Sequence, residues 1–116
     1  MPRRAIPHPL ALAVGERVRA LRQEAGLTIE KLAFEASPSE GEGRFRISKG
    51  HLSSLERGLV MPTVATLDLL AARLEVLVAD LVIDPERSPR ERAIDLSRGL
   101  PPTAIKELVK TLARKG

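Results

Sequence analysis

The 116-residue chain contains no cysteine, no tryptophan and no tyrosine, and its aromatics are limited to Phe34 and Phe45. Without cysteine there are no disulfides, no thiol chemistry and no cysteine-based zinc sites, a composition at home in a reducing cytoplasm. With so few aromatics, recognition of single strands by stacked bases lacks its usual parts. Only two histidines are present, His8 and His51, far apart in the chain, so no ligand cluster at metal spacing forms and no metal or other cofactor is expected. Paired catalytic carboxylates and nucleophile elbows are missing too, and the chain is not expected to be an enzyme.

Long apolar runs are also absent. No stretch approaches the roughly 20 residues that a membrane span needs, so no membrane association is expected. The opening MPRRAIPHPLALAV has arginines ahead of an apolar run, but LALAV is too short for a secretion signal and follows Pro7 and Pro9. Residues 1–11 read as a mobile arm, and the protein as soluble and cytoplasmic.

What is present is helical. The length suits one small domain with a tail, and a net charge of +4 is compatible with a polyanionic partner without requiring one. Val14, Val18, Leu21 and Ala25 recur at helical spacing, with Gly26 placed to end the helix in a left-handed turn. Thr28 is a suitable N-cap for a second helix with Leu32, Ala33 and Ala36 inward and Glu30 in the first turn, where it complements the dipole. SPSEGEGRFR then reads as loop. Ser48 caps a third helix that buries Leu52 and Leu55 and ends at Gly58. Pro62 and Thr63 open a fourth with Val64, Leu67, Leu70, Ala71 and Leu74 inward, and VLVADLVI forms a short, heavily buried fifth.

Beyond Asp84, Ser88, Pro89 and Glu91 have the spacing of a capping box for a helix to about Arg98. Pro101 and Pro102 interrupt it. A last helix aligns Ile105, Leu108, Val109 and Leu112 in one stripe, with Lys106, Lys110, Arg114 and Lys115 outside it or near its end. Together with Ile94 and Leu100, this stripe is more apolar surface than residues 85–116 can bury on themselves. It must pack on its own domain, on a second copy or on another protein; a second copy is the expected partner.

The third helix raises the functional question. In ISKGHLSSLERG the outward positions are Lys49, Gly50, Ser53, Ser54 and Arg57, a small, polar or cationic set. A helix that only faces water favours Glu, Lys, Gln and Ala there, because serine and glycine lower helix propensity. A helix entering the major groove needs this kind of face: short side chains, donors and few carboxylates. A weak, irregular surface helix is the competing reading.

GERVRALRQEAGLTIEKLA followed by ISKGHLSSLERGLVMPTVATLDLLAARLEV resembles the helix-turn-helix domain of the Cro and phage-repressor type, also called xenobiotic-response-element-like regulators. The resemblance implies an all-α fold: a compact five-helix domain over residues 12–84 whose third helix, 48–57, enters the major groove, followed by a C-terminal helical extension. It implies that Lys49, Gly50 and Ser54 face bases, that Ser48 and His51 lie near the helix start, that Arg57 meets phosphate, and that Thr28 lies against the DNA backbone. It further implies a salt bridge between Arg22 and Glu56 that ties the first helix to the third.

Two features depart from the family pattern. The position after Thr28, commonly glutamine, is Ile29, which removes the usual polar brace between the second helix, phosphate and the recognition helix. The turn between the second and third helices carries an insertion at 38–46. It is expected to loop outward: in one reading Arg44 and Arg46 reach a flanking phosphate, in the other, the favoured one, it is a solvated excursion in which Glu40 and Glu42 offset the two arginines. The function implied is a sequence-specific regulator of transcription bound to a pseudo-palindromic double-stranded operator as a dimer, a repressor rather than an activator. The alternative is a protein-interaction module, an antitoxin or adaptor, that grips a partner protein with its C-terminal helices.

Overall fold

The structure is a computed structural model that describes residues 8–37 and 46–115. The proposed arm residues 1–7, the inserted residues 38–45 with Arg44, and Gly116 lie outside the described residues, as does the side chain of Lys115. The described residues form seven helices and no strand: α1 (Pro9–Glu24), α2 (Ile29–Ala36), α3 (Lys49–Glu56), α4 (Val64–Leu74), α5 (Val78–Val82), α6 (Pro89–Ser97) and α7 (Pro102–Lys115). They fall into two compact units that divide between Ile83 and Asp84, so that α1 to α5 make one and α6 and α7 the other.

Local chemistry sets the helix ends. Thr28, Ser48, Thr63 and Ser88 each accept a hydrogen bond from the backbone N–H three residues on, which satisfies a donor that the first turn leaves without a partner. Helices α1 and α3 end in the same way. Gly26 and Gly58 take positive φ, and the following residues donate back across the turn, Leu27 to the Arg22 carbonyl and Leu59 to the Ser54 carbonyl. Helix α4 ends with Glu75 in the left-handed region and Val76 donating to the Ala71 carbonyl.

In the first unit α1 packs on α3 and α5, α2 on α3 and α4, and α4 on α5. Val18, Leu32, Leu52, Leu55, Leu70 and Leu81 are sealed from solvent at the centre. Each fully buried leucine of this kind contributes roughly 1.5–3 kcal/mol relative to exposure. The buried Asp80 is satisfied at both ends: its carboxylate accepts the Leu77 N–H at 2.9 Å and its carbonyl accepts the Arg17 Nε at 2.7 Å.

Several expectations change. Helix α1 starts at Pro9, inside the stretch read as an arm, because His8 Nδ1 accepts the Leu10 N–H at 3.0 Å and Pro9 is suited to the first helical position. Ala11 is consequently buried. Ala25 is the exposed C-cap of α1 and not a core residue. Val64 is 76% exposed at the start of α4, and in the fifth element Leu77 and Val82 face outward while Leu81 and Ile83 are buried.

In the second unit Ser88 caps α6, but Glu91 does not return the bond to the Ser88 N–H as a capping box would. Its carboxylate accepts the Asp84 N–H at 2.8 Å, the Ser88 hydroxyl at 2.9 Å and the Arg87 guanidinium at 2.6 Å. These bonds, that from Arg87 foremost, hold the Glu91 carboxyl at about 2, well below its ordinary range.

Candidate functional site

Helix α3 is short, and its position is fixed from behind by three devices. The first is a buried ion pair: Arg22 Nε donates to Glu56 Oε2 at 2.7 Å and Nη2 to Oε1 at 3.0 Å, while Nη1 donates to the Leu27 carbonyl at 2.7 Å. One guanidinium thus joins the end of α1, the turn into α2 and the end of α3. The two-pronged geometry is one that arginine offers and lysine does not.

The second device is close backbone approach. A Cβ on Gly15 would run into the Leu55 carbonyl oxygen and lie 2.8 Å from that of Glu56, so α1 rests directly on the last turn of α3. Gly58, already at positive φ, has no room for a Cβ beside Leu12 either. The third device closes the base of the insertion. The Ser37 hydroxyl accepts the Ile47 N–H at 2.8 Å and donates to the Ala33 carbonyl at 2.8 Å, joining the end of α2 to the residue before the Ser48 cap. Ile47 is buried beside it. The helices on either side of the inserted residues are therefore linked independently of what lies between.

The opposite face of α3 is open. Lys49, Gly50, His51 and Arg57 are exposed, Ser53 and Ser54 half-buried, and Leu52, Leu55 and Glu56 buried. A Cβ on Gly50 would meet nothing within 4 Å, so packing within the chain does not demand glycine there. Ser48 is exposed at the helix start, its hydroxyl accepting the His51 N–H at 3.0 Å. Thr28 is the corresponding exposed cap of α2. Arg57 sits at the C-cap, with only a long 3.4 Å bond from its Nε to the Ser53 carbonyl. Arg46 and His51 border a hollow that is also lined by Thr63 and Thr66 at the start of α4.

One polar contact crosses the exposed face. Lys49 Nζ lies 3.2 Å from Glu30 Oε1, joining the first turns of α3 and α2. Sequence reasoning assigned Glu30 only to the helix dipole, because a contact across a loop of unknown path has no spacing signature. Gly15 was missed for the same reason: its neighbours are backbone atoms distant in sequence.

In the second unit Ile94, Leu100, Leu108, Val109 and Leu112 are exposed and Ile105 is half-buried. The last four residues of this set lie on α7, whose polar positions carry Lys106, Lys110 and Arg114. No group of three or more histidine and carboxylate side chains suited to a metal ion occurs among the described residues, and none of their helices is long and apolar enough to cross a membrane.

A family model described as a helix-turn-helix domain matches residues 13–82. An uncharacterised HTH-type transcriptional regulator of Sinorhizobium fredii is 41% identical over 76 residues, which cover 66% of this chain and 87% of the relative. An HTH-type transcriptional regulator of Deinococcus deserti is 38% identical over 85 residues, 73% of this chain; the match spans 59% of that relative's length. Among solved structures, a complex of a SinR protein and a SinI protein is similar with a TM-score of 0.58 and 26% identity, over 88% of this chain and 96% of that one.

Proposed function

Because this chain belongs to the helix-turn-helix family of transcriptional regulators, we propose that it is a sequence-specific regulator, a repressor, that lays α3 in the major groove of double-stranded DNA. The observation that carries this reading is the contrast between the two faces of α3. Its back is held by the Arg22–Glu56 pair and by the contact at Gly15, while its front presents Lys49, Gly50, His51, Ser54 and Arg57 with open space at Gly50. A rigid helix with a short-chained face can approach base edges closely.

The roles divide along the helix. Lys49 and Gly50 in the first turn, with Ser53 and Ser54 one turn on, face the bases. Ser48, His51 and Thr28 lie at helix starts, where backbone N–H groups and hydroxyls suit phosphate. Arg57 leaves the groove and meets phosphate. A single short helix reads few base pairs, so two copies on a pseudo-palindromic operator supply the discrimination that a regulator needs. We assign the dimer seam to the apolar residues of the extension: the exposed Ile94, Leu100, Leu108, Val109 and Leu112 with the half-buried Ile105.

A second reading is supported by the same exposed stripe and by the likeness to a structure of two proteins in complex: the extension grips a different protein, as an antitoxin or adaptor does. Selection of bound duplexes from random DNA at physiological salt separates the two. The regulator reading expects a two-fold-symmetric consensus; retention of no DNA, or of all sequences alike, contradicts it.

A further inference from the structure

The ion pair between Glu30 and Lys49 joins the exposed first turns of α2 and α3; on the proposed reading of α3 it sets a carboxylate where phosphates would approach. Both side chains are well exposed, at 71% and 65%, and a pair so open contributes little to folding. Its effect lies in where it holds the ammonium group. Ile29, the neighbouring residue, packs against the hydrophobic core, so Glu30 is the residue of the first turn of α2 that reaches across to α3.

We propose that Glu30 is a specificity-determining positioning residue, which holds the Lys49 ammonium toward base edges and away from the DNA backbone. The inference rests on the reading of α3 as a groove-inserted helix. A lysine on a flexible four-carbon stem is a point charge that pairs with any phosphate in reach. Phosphate contacts fix register but carry no sequence information. A carboxylate beside the ammonium changes that balance: it repels phosphate and engages one of the three ammonium donors. The two remaining donors match the adjacent O6 and N7 acceptors of guanine. As water leaves the groove the attraction between Glu30 and Lys49 strengthens, which keeps the ammonium oriented. The chain thereby restores a link between α2 and α3 one position beyond the glutamine that Ile29 replaces.

The test compares the full-length chain with Glu30→Ala and Glu30→Gln variants on the selected duplex, on single-base variants at the pair assigned to Lys49, and on unrelated duplex. Because the side chain is exposed, all three proteins are expected to give the same circular dichroism, with only a small drop in melting temperature from loss of the first-turn carboxylate. Glu30→Ala is expected to bind unrelated duplex more tightly while its discrimination at that one base pair falls about tenfold, within the roughly 5- to 150-fold of one good base contact. Glu30→Gln keeps an acceptor for the ammonium and is expected to fall between. In the background of Lys49→Ala, Glu30→Ala should no longer alter discrimination. Equal tightening on every duplex, with discrimination intact, overturns the inference and leaves the DNA-binding reading standing. Absence of any preferred duplex for the unmodified chain overturns both.

Discussion

The Arg22 guanidinium and the Glu56 carboxylate form a two-pronged, nearly solvent-free ion pair, with side chains 11% and 4% exposed, between the end of α1 and the end of α3. Removing one member leaves the other buried without its partner, which costs more than the pair itself contributes. Arg22→Ala is expected to lower stability by about 3 kcal/mol, and Glu56→Ala by a similar amount. The double variant should lose little more than either single one. Urea unfolding of the four proteins gives the coupling; additive losses show that the two residues act independently.

Gly15 and Gly50 predict opposite outcomes for the same substitution. At Gly15 a methyl group meets backbone carbonyl oxygens that have no flexible end to move, and Gly15→Ala is expected to destabilise by about 1–3 kcal/mol. At Gly50 a methyl group meets nothing, and Gly50→Ala should stabilise the free protein by roughly 0.5–1 kcal/mol through helix propensity. On the proposed groove-inserted reading its DNA affinity should nevertheless fall, because the added group would occupy the space through which α3 approaches the bases. A Gly50→Ala protein that is both more stable and equally tight on DNA removes the argument for close approach.

The helices of both units were legible because their starts are written in short-range chemistry. Thr28, Ser48, Thr63 and Ser88 each cap a helix through a bond three residues long, and the alternation of Leu32, Leu52, Leu55, Leu67 and Leu70 marks the core face. The errors lie at helix ends. Periodicity shows which face is apolar but not where the neighbouring helices stop, so it extended the core to Val64 and Ala25, which are exposed, and stopped short of Ala11, which is buried. At the candidate site the composition of α3 could be read directly. The contacts that join α2 to α3, Ser37 to Ile47 and Lys49 to Glu30, link residues 10 and 19 positions apart in sequence, which no local rule specifies.

The acid response of the extension should be traceable to Glu91. Its folded-state value of about 2 lies below the ordinary 4.5, held there first by the Arg87 hydrogen bond and then by the Asp84 N–H. A lowered folded value means that the stabilising contribution is fully present above about 4.5 and is lost as pH falls toward 2. An NMR titration of the Glu91 side chain should have its midpoint near 2, and Arg87→Ala should move it upward. A midpoint near 4.5 in the unmodified chain shows that the cluster does not persist in solution.

The extension is a compact unit of its own, with exposed apolar residues on α7. A chain ending at Asp84 should stay folded, sediment as a monomer and bind the operator more weakly, because each copy then pays separately for association with its half-site. Sedimentation equilibrium of the two lengths checks this. A truncated chain that remains a dimer places the seam within α1 to α5.

The most direct test of groove insertion compares Lys49→Ala with Arg57→Ala on the selected operator and on its single-base variants across a range of salt. Lys49 lies in the first turn of α3 and Arg57 at its C-cap, so the two cations should answer differently. Lys49→Ala is expected to cost roughly 1–3 kcal/mol on the preferred site and to relax the preference at one base pair per half-site. Arg57→Ala should weaken all sequences alike and reduce the salt slope by about one per protomer, because one phosphate contact fewer releases fewer counterions. Equal, sequence-independent losses contradict base reading by Lys49, and no loss from either contradicts insertion of α3 into the groove.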